Sequence, residues 1–263
     1  MVVAIAIATH KQYRMPHDSV YLPIQLGRGI AHNNFGFQMD DAGDNISAKN
    51  PHYSELTALY WLWKNSDADY KGLVHYRRHF GTRNIFVRLF SRDRFTKIVR
   101  GTEIKEILSN SQIILPKKRH YYVETIYSHY SHTFDGKQLD VTREILEKDF
   151  GKYVPAFDRV MSSTSAHLFN MFIMESHLVD DYCDFMFSVI GKLEEYIGYD
   201  DLNAFQSRYP GRISERLLDV WLLTNNYAYA ELPVVSTEPV NWWKKGTSFI
   251  RAKLGGKGYD ASF

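Results

Sequence analysis

The sequence lacks cysteine pairs and long apolar runs. Cys183 is the only cysteine in 263 residues, so no internal disulfide can form, and its neighbours Asp180, Asp181 and Asp184 do not favour a reactive thiolate. The apolar residues 1–8 are not preceded by the basic n-region of a signal peptide and are far fewer than the roughly 20 that a membrane span needs. We therefore predict a structural thiol in a reducing compartment, and an N-terminal strand rather than a signal peptide.

An excess of either charge is also missing. Lys and Arg total 32 and Asp and Glu total 30, which leaves a formal net charge of +2. Proteins that bind nucleic-acid phosphates along a surface usually show a clear basic excess, so any anion site here must be local. The length and the hydrophobic content of 44% are ample for a packed core and argue against disorder.

Apolar runs alternate with amphipathic stretches along the chain. Residues 2–8 are apolar without polar alternation, which is typical of a strand covered on both faces in a parallel sheet. Further strands are predicted at 72–76, 113–115 and 168–174, and helices after Ser54, at 103–108, 141–148 and 180–193, and after Ser214, with a polar aromatic loop at 121–135. This order predicts an α/β fold, a Rossmann-like mixed sheet flanked by helices.

We expect a single domain over residues 1–238 and a basic, Trp-rich tail over residues 239–263. The tail combines Trp242 and Trp243 with several Lys and Arg, a composition that suits a membrane interface with anionic headgroups. An equally good interpretation is a tail packed on the domain with its lysines in solvent.

Polar side chains follow two of the predicted strands. Thr9, His10 and Lys11 come directly after the first strand, and residues 75–78, His-Tyr-Arg-Arg, end the strand that begins at Gly72. Ligands of open α/β sheets bind beyond the carboxyl ends of the strands, so these residues are candidates for ligand binding, with residues 75–78 expected to meet an anion. The alternatives are a solvated strand end for the first group and a structural ion-pair cluster for the second.

Residues 77–100 carry eight Arg or Lys and one acid, Asp93, interleaved with phenylalanines. Single-stranded nucleic acid can bind such a surface through base stacking. No recognised nucleic-acid motif accompanies the segment, so we expect no nucleic-acid partner. We favour instead a loop that binds an acceptor substrate or that faces a membrane.

Several blocks, taken together and in order, resemble one bacterial family. They are Asp-Asn-Ile-Ser at 44–47, Lys-Asn at 49–50, Tyr-Ser-Glu-Leu-Thr at 53–57, Gly-Leu-Val-His-Tyr-Arg-Arg at 72–78, Asn-Met-Phe-Ile-Met at 170–174 and Ser-Glu-Arg-Leu-Leu at 214–218. The family is the one catalogued as domain of unknown function 4422, which is associated with capsule, exopolysaccharide and O-antigen biosynthesis and includes galactofuranosyltransferases.

This resemblance implies a glycosyltransferase-A-like fold and a hexosyltransferase that uses a nucleotide-activated sugar. The expected donor is a uridine diphosphate (UDP) sugar, with galactofuranose as the preferred sugar, and the expected acceptor is a glycan or a polyprenyl-linked glycan. The implied location is the cytoplasm, with peripheral contact to the inner face of the cell membrane.

The resemblance also implies roles for individual residues. Glu215 is the expected base of an inverting transfer, with Asp135 as an alternative, and Arg77 and Arg78 are expected to stabilise the leaving diphosphate. The expected donor-binding residues are Thr9, His10, Lys11, Asp44, Asn45, Ser47, His75 and Tyr76, and the expected substrate-binding residues are Glu55, His167, Asn170 and Arg216. For Asp44, Asn45 and Ser47 a purely local turn role remains open, as does a helix-dipole role for Glu55 and Glu215.

One departure from the family's wider fold class concerns metal. Enzymes of that class commonly hold a divalent cation with an Asp-x-Asp motif at the carboxyl end of a central strand. Asp67 and Asp69 have this spacing, but they precede the strand at 72–76. Arginine grips phosphate in a bidentate manner, so we predict catalysis without a resident metal, while Asp40, Asp41 and Asp44 remain an alternative cation site.

Two rival functions stay open at this stage. A non-catalytic subunit of a polysaccharide assembly complex would bind nucleotide sugar or glycan without turnover. A membrane-peripheral scaffold would bind anionic vesicles and show no saturable nucleotide affinity.

Overall fold

The computed structural model describes residues 1–30 and 33–238, so the tail predicted over residues 239–263 lies outside the described residues. A nine-stranded sheet runs through the centre and carries helices on both faces. Its strands are β1 (Val3–Thr9), β2 (Tyr21–Gln25), β3 (Gln38–Met39), β4 (Tyr70–His75), β5 (Arg78–Phe80), β6 (Ile113–Pro116), β9 (Phe172–Glu175), β10 (Ala230–Leu232) and β11 (Val234–Ser236). A separate ribbon pairs β7 (Arg119–His120) with β8 (Ser165–Ala166).

The sheet is mixed, with a parallel centre. Its order is β10-β6-β9-β4-β1-β2-β3, and β5 joins β4 and β11 at one end of the strands. Strands β2 and β4 flank β1 in parallel, whereas β9 is antiparallel to both of its neighbours. The predicted buried first strand is confirmed, because six of the seven residues of β1 are buried.

Two hydrophobic clusters cover the two faces of the sheet. The helices are α1 (Asn50–Tyr53), α2 (Leu56–Asn65), α3 (Ile85–Phe90), α4 (Gly101–Leu108), α5 (Ile126–Thr133), α6 (Lys137–Asp149), α7 (Val154–Ser162), α8 (Ser176–Ile197) and α9 (Tyr209–Asn225). The larger cluster buries α2 and α5 to α9 against one face, and α4 packs into the smaller cluster on the other. In the described part of the chain no helix is long and apolar enough to cross a bilayer.

Three local predictions are wrong in their boundaries. Ser214 lies inside α9, which begins at Tyr209 with Pro210 in its first turn, where the missing N–H of proline costs nothing. The loop predicted at 121–135 contains α5, which starts with a capping box at Thr125. Asn170 precedes β9 instead of lying within it, because Phe169 and Asn170 have φ angles of 84° and 51° that no strand allows.

Asp40 organises the loops beyond β2 and β3. Its buried carboxylate accepts backbone N–H groups from Gly27 (2.9 Å) and Arg28 (3.1 Å) and hydroxyl groups from Ser47 (2.5 Å) and Thr57 (2.8 Å). Four donors therefore compensate for the desolvation of one charge. This arrangement leaves Asp40 committed to the fold and does not favour the alternative of a cation site at this loop.

We expect Asp40→Ala to lower the free energy of unfolding by about 3 kcal/mol or more, because four buried donors lose their common acceptor. Urea denaturation monitored by circular dichroism measures this change. Asp41→Ala is the matched control, since its side chain is exposed, and it should change stability by no more than about 0.5 kcal/mol. Equal stability of the two variants would contradict the role assigned to Asp40.

Candidate active site

The carboxyl edge of the sheet collects residues from distant parts of the chain. Strands β1, β4 and β6 run in one direction and end at this edge, and the antiparallel β9 begins there. The edge therefore brings together His10 after β1, His75 at the end of β4, Arg119 after β6 and Asn170 before β9. The loops and helix starts that lie above it complete the site.

Five cations meet at this edge, and we call them the cationic cluster: Lys11, Arg77, Arg78, Arg119 and Arg208. Burial lowers the pKa of Arg78, and the nearby Arg77 and Arg119 lower it further, while nearby carboxylates oppose the change. Burial also lowers the pKa of His10, followed by Arg77, Lys11 and Arg208. Arg77 acts on both Arg78 and His10 and so links the two sets of positive charges at one edge, an arrangement that suits a multiply charged anion.

Aromatic rings pack against three of the cations. The Tyr76 ring is buried, and its centroid lies 5.1 Å from the Lys11 ammonium and 5.3 Å from the Arg77 guanidinium. The Arg78 guanidinium lies 4.6 Å from the centroid of the Phe169 ring. Cation–π contacts of this kind orient a positive group without neutralising it, so the charge stays available to a ligand.

His75 contributes no positive charge to the site. Burial lowers its pKa to about 3, and Arg77 and Arg78 add to the effect. The neutral ring accepts the backbone N–H of Arg77 at Nδ1, at 3.3 Å. His75 therefore shapes the turn between β4 and β5, and the electrostatic contribution comes from the two arginines.

Two carboxylates face the cationic cluster. Glu55 precedes α2, and its Oε1 accepts a hydrogen bond of 2.8 Å from Asn170 Nδ2. Glu215 on α9 pairs with Arg216 through a contact of 2.7 Å between Oε2 and Nη1. Arg78 lies close enough to both acids for each to raise its pKa, so acids and phosphate-binding groups surround the same space.

Glu55 holds its proton more tightly than an ordinary glutamate does. Burial raises the pKa of Glu55, the hydrogen bond from Asn170 opposes this effect, and the neighbouring Glu215 raises the pKa further. A carboxyl group whose pKa is raised by burial and by a neighbouring acid is typical of functional sites.

Asn170 ties the elements of the site together. Its Nδ2 donates to Glu55 and to the carbonyl oxygen of Gly211 (3.0 Å), and its Oδ1 accepts the hydroxyl of Ser214 (2.9 Å). These bonds connect β9, α2 and α9. They engage both ends of the buried amide with protein groups, so Asn170 holds Glu55 in position.

Backbone strain is concentrated beside the same acids. Phe169 and Asn170 are left-handed, and Ser54 has a φ of 53° just before Glu55. The Ser54 hydroxyl accepts the Nε–H of Arg208 at 2.9 Å. Left-handed residues other than glycine cost free energy and persist where surrounding contacts require them, commonly near functional groups.

The last described residues cross the cationic cluster. The Glu238 carboxylate lies 3.8 Å from Lys11 Nζ and 3.8 Å from Arg77 Nη1. Thr237 holds this crossing in place, since its N–H donates to the Arg77 carbonyl (3.0 Å) and its hydroxyl donates to the Tyr76 carbonyl (3.2 Å). An acid of the chain itself thus sits where the cluster attracts negative charge.

Several predicted donor-binding residues have local roles. Thr9 is buried and donates to the Lys11 carbonyl at 2.6 Å, so it shapes the turn that presents His10 and Lys11. Asn45 Nδ2 donates to carbonyl oxygens of its own loop at 2.9 and 3.0 Å. The backbone N–H and side chain of Asp44 bond to Asn65 and Tyr60. The structure therefore favours the turn interpretation for the loop at 44–47, where the Ser47 hydroxyl binds Asp40.

His167, one of the predicted substrate-binding residues, is engaged by carboxylates of the protein itself. Its ring is fully buried, with Nδ1 2.5 Å from Asp219 Oδ1 and Nε2 3.0 Å from Glu231 Oε1. Both ring nitrogens are thus engaged by the protein, and the side chain joins α9 to β10. Arg216 is also largely buried and works through Glu215 and the Arg212 carbonyl.

The aspartates of the Asp-x-Asp sequence lie at the opposite edge. Asp69 Oδ2 accepts the backbone N–H of Val2 at 2.7 Å, at the start of β4. Asp135, the alternative base, accepts the N–H of Lys137 at 3.0 Å. Over the described ranges no group of three or more His, Cys, Asp or Glu is placed to hold a metal ion.

Arg119 and Arg208 are members of the cationic cluster that the sequence did not single out. Arg119 follows two lysines in the polar stretch after β6, and Arg208 lies just before α9. No local motif marks either residue. Their positions at the carboxyl edge of a strand and at the start of a helix become informative only when the strand order is known.

Comparison with known proteins adds a family and a relative of known structure. A family model described as a domain of unknown function, DUF4422, matches residues 4–226. A solved structure described as the WbbM bifunctional glycosyltransferase in its apo form is similar to this chain, with a TM-score of 0.83 and 29% sequence identity. The match covers 91% of this chain and 46% of that one, so this chain spans less than half of that protein's length.

A search among curated proteins finds no match. The fold comparison confirms the predicted α/β class, since this mixed sheet with flanking helices is the fold of part of a glycosyltransferase structure.

We expect Glu55→Gln to stabilise the protein at neutral pH and to have little effect in acid. Glu55 has a folded-state pKa above its ordinary value of 4.5, so the folded state binds the proton more tightly and Glu55 supports folding best at low pH. That contribution is lost as the pH rises through the interval above 4.5. Glutamine keeps the oxygen that accepts the Asn170 N–H and cannot ionise.

Urea titrations of both proteins from pH 4 to pH 8 measure the difference, which should grow with pH in favour of the variant. Glu144→Gln, an exposed change on α6, is the control and should show no such trend. A Glu55→Gln protein that is less stable at neutral pH than in acid, relative to the unaltered chain, would contradict the raised pKa.

Proposed function

The chain belongs to the DUF4422 family, and on that premise we propose that it is a glycosyltransferase that moves a hexose from a UDP-sugar to a glycan or polyprenyl-linked glycan. The observation that carries the proposal is the cationic cluster at the carboxyl edge of the sheet, with Glu55 and Glu215 facing it. A diphosphate needs several positive groups, and a transfer to a hydroxyl needs a carboxylate base beside them. The similar WbbM structure, which is described as a glycosyltransferase, supports the same chemistry.

Arg77 and Arg78 are the proposed stabilisers of the leaving diphosphate. They occupy the turn between β4 and β5 and contact different rings, Arg77 beside Tyr76 and Arg78 over Phe169. The two guanidinium groups therefore approach the site from two sides, as a clamp on a diphosphate requires. Lys11 extends the positive surface towards the base of the nucleotide, beside the exposed His10 and the partly buried Tyr13.

Glu215 is the proposed base of an inverting transfer. Two observations support this role: Glu215 pairs with Arg216, which orients its carboxylate, and it raises the pKa of the nearby Arg78. As the acceptor oxygen attacks the anomeric carbon, Glu215 takes the hydroxyl proton, the bond to the diphosphate oxygen breaks, and the negative charge that forms there is met by Arg77 and Arg78. Glu55, held by Asn170, is proposed to bind the acceptor beside it.

The identity of the sugar follows from the resemblance of the sequence to galactofuranosyltransferases, so UDP-galactofuranose is the proposed donor. Capsule, exopolysaccharide or O-antigen biosynthesis is the proposed setting. Because this chain matches 46% of a protein described as bifunctional, we propose that it carries one transferase site. The charge of the diphosphate is proposed to be neutralised by side chains of the cationic cluster, without a resident divalent metal.

We expect Arg77→Ala and Arg78→Ala each to weaken UDP binding about 10- to 100-fold, because a charge-assisted hydrogen bond contributes roughly 1.5–3 kcal/mol. Isothermal titration calorimetry with UDP measures the loss, and a thermal-shift panel of UDP-sugars identifies the donor. Arg159→Ala, an exposed arginine on α7, is the matched control and should bind UDP normally. UDP affinity that survives both substitutions would remove the diphosphate site from this edge.

We expect Glu215→Gln to reduce turnover by roughly 10²- to 10⁴-fold while UDP affinity stays within about twofold, since the base acts on the acceptor and not on the nucleotide. Release of UDP in the presence of a polyprenyl-linked acceptor is the measurement, made with and without a chelator. Loss of turnover in Glu55→Gln but not in Glu215→Gln would transfer the role of base to Glu55. Turnover that requires added manganese would overturn the metal-free part of the proposal, and donor binding without any turnover would indicate a binding subunit.

A further inference from the structure

Helix α3 presents a projecting apolar face to solvent. Ile85, Phe86, Leu89 and Phe90 are 53%, 71%, 67% and 75% exposed, and none of the residues of α3 is buried. The rings of Phe86 and Phe90 stack on each other with centroids 6.4 Å apart. Four large apolar side chains on one short helix form a contiguous exposed patch, which in a folded protein usually marks an interaction surface.

The helix is held in this position by its own contacts. Asn84 caps it by accepting the N–H of Val87 at 3.1 Å. The segment before it is tied to α4, because Glu103 accepts the Thr82 hydroxyl and the Arg83 N–H, both at 2.6 Å. The apolar patch therefore projects from a fixed support, and the helix is not turned inwards to bury it.

Positive charges surround the patch. Arg83, Arg92, Arg94 and Arg100 are exposed around α3, and Asp93 is the only acid in residues 83–100. Asp93 is already neutralised by Arg14, with contacts of 2.7 and 3.2 Å. Within residues 1–30 and 33–238 no carboxylate forms an ion pair with Arg83, Arg92 or Arg100. We call the patch and these cations the α3 face.

We propose that the α3 face docks on an anionic lipid bilayer. Apolar side chains that project from a basic surface insert at the boundary between headgroups and acyl chains, while the arginines meet anionic headgroups. A second copy of this chain is a poorer occupant, since a symmetric dimer through this face would bring two sets of unpaired arginines together. The exposure and the charge of the α3 face do not depend on the transferase chemistry.

The α3 face is connected to the candidate active site. Phe95, in the segment after α3, lies with its ring 6.5 Å from Tyr13, whose ring lies 5.0 Å from Tyr76 beneath the cationic cluster. Arg94 Nη1 donates to the carbonyl of Ser236 at 3.3 Å, in the strand that leads to Glu238. Docking through the α3 face would therefore hold the cationic cluster near the lipid surface, where a lipid-linked acceptor is found.

The test is co-sedimentation of the full chain with phosphatidylcholine vesicles, with and without phosphatidylglycerol. We expect binding only to the anionic vesicles, and we expect Phe86→Ser/Leu89→Ser/Phe90→Ser to lower the partition coefficient by at least about tenfold. Arg92→Glu/Arg100→Glu should weaken vesicle binding and should make the remaining binding less sensitive to salt concentration. One matched control is Tyr196→Ser, at a 62% exposed ring at the end of α8. The other is Lys152→Glu/Arg159→Glu, with one residue just before α7 and one within it. Both variants should bind vesicles as the unaltered chain does.

A labelling experiment locates the contact. Cys183 is buried and is the only native cysteine, so Leu89→Cys can be labelled selectively with an environment-sensitive dye. A blue shift of the dye on anionic vesicles supports insertion of α3, and an unchanged spectrum overturns it. Circular dichroism and UDP titration of the serine variant verify its fold.

Equal vesicle binding by the triple serine variant and the unaltered chain would overturn the proposal and assign binding to another segment, such as residues 239–263. The proposal would also be overturned if the unaltered chain did not bind vesicles but formed a dimer, and if the triple serine variant did not form that dimer. The α3 face would then bind a second copy of the chain.

Discussion

Mutual repulsion among positive charges is the constraint on which the rest of this structure depends. Lys11, Arg77, Arg78, Arg119 and Arg208 converge at one edge of the sheet, and each is close enough to others to change the pKa of a neighbour. Such a concentration costs free energy in the folded state unless other groups compensate. The rings of the buried Tyr76 and the partly buried Phe169, the acids Glu55 and Glu215, and Glu238 at the end of the described chain provide that compensation.

The site shows the signs of a region kept for function at the expense of stability. Glu55 carries a pKa raised by burial, Ser54 and Asn170 have left-handed backbones, and His75 is kept neutral between two arginines. None of these features helps the chain to fold. They are supported from outside, by the Asn170 bonds that join three elements and by the Asp40 hub that fixes the neighbouring loops.

Positive side chains are arranged in two different ways on this protein. At the sheet edge the cations gather at the ends of the strands around the partly buried Arg78, which suits a small, multiply charged ligand. Around α3 they are spread over an exposed surface beside apolar side chains, which suits an extended anionic plane. Because the net charge of the whole chain is only +2, the distribution of the charge matters here and its total does not.

The sequence by itself determined the α/β class, the buried first strand and the polar tips His10, Lys11 and Arg77, because strand propensity and hydrophobic patterning act over a few residues. It also carried the family resemblance, which depends on the order of short blocks. Only the tertiary structure added Arg119 and Arg208 to the cluster and gave Asn170 its partners, 115 residues away at Glu55 and 44 away at Ser214. It likewise enclosed His167 between Asp219 and Glu231. Contacts between residues so far apart depend on which strands become neighbours in the sheet, and no local pattern in the chain contains that order.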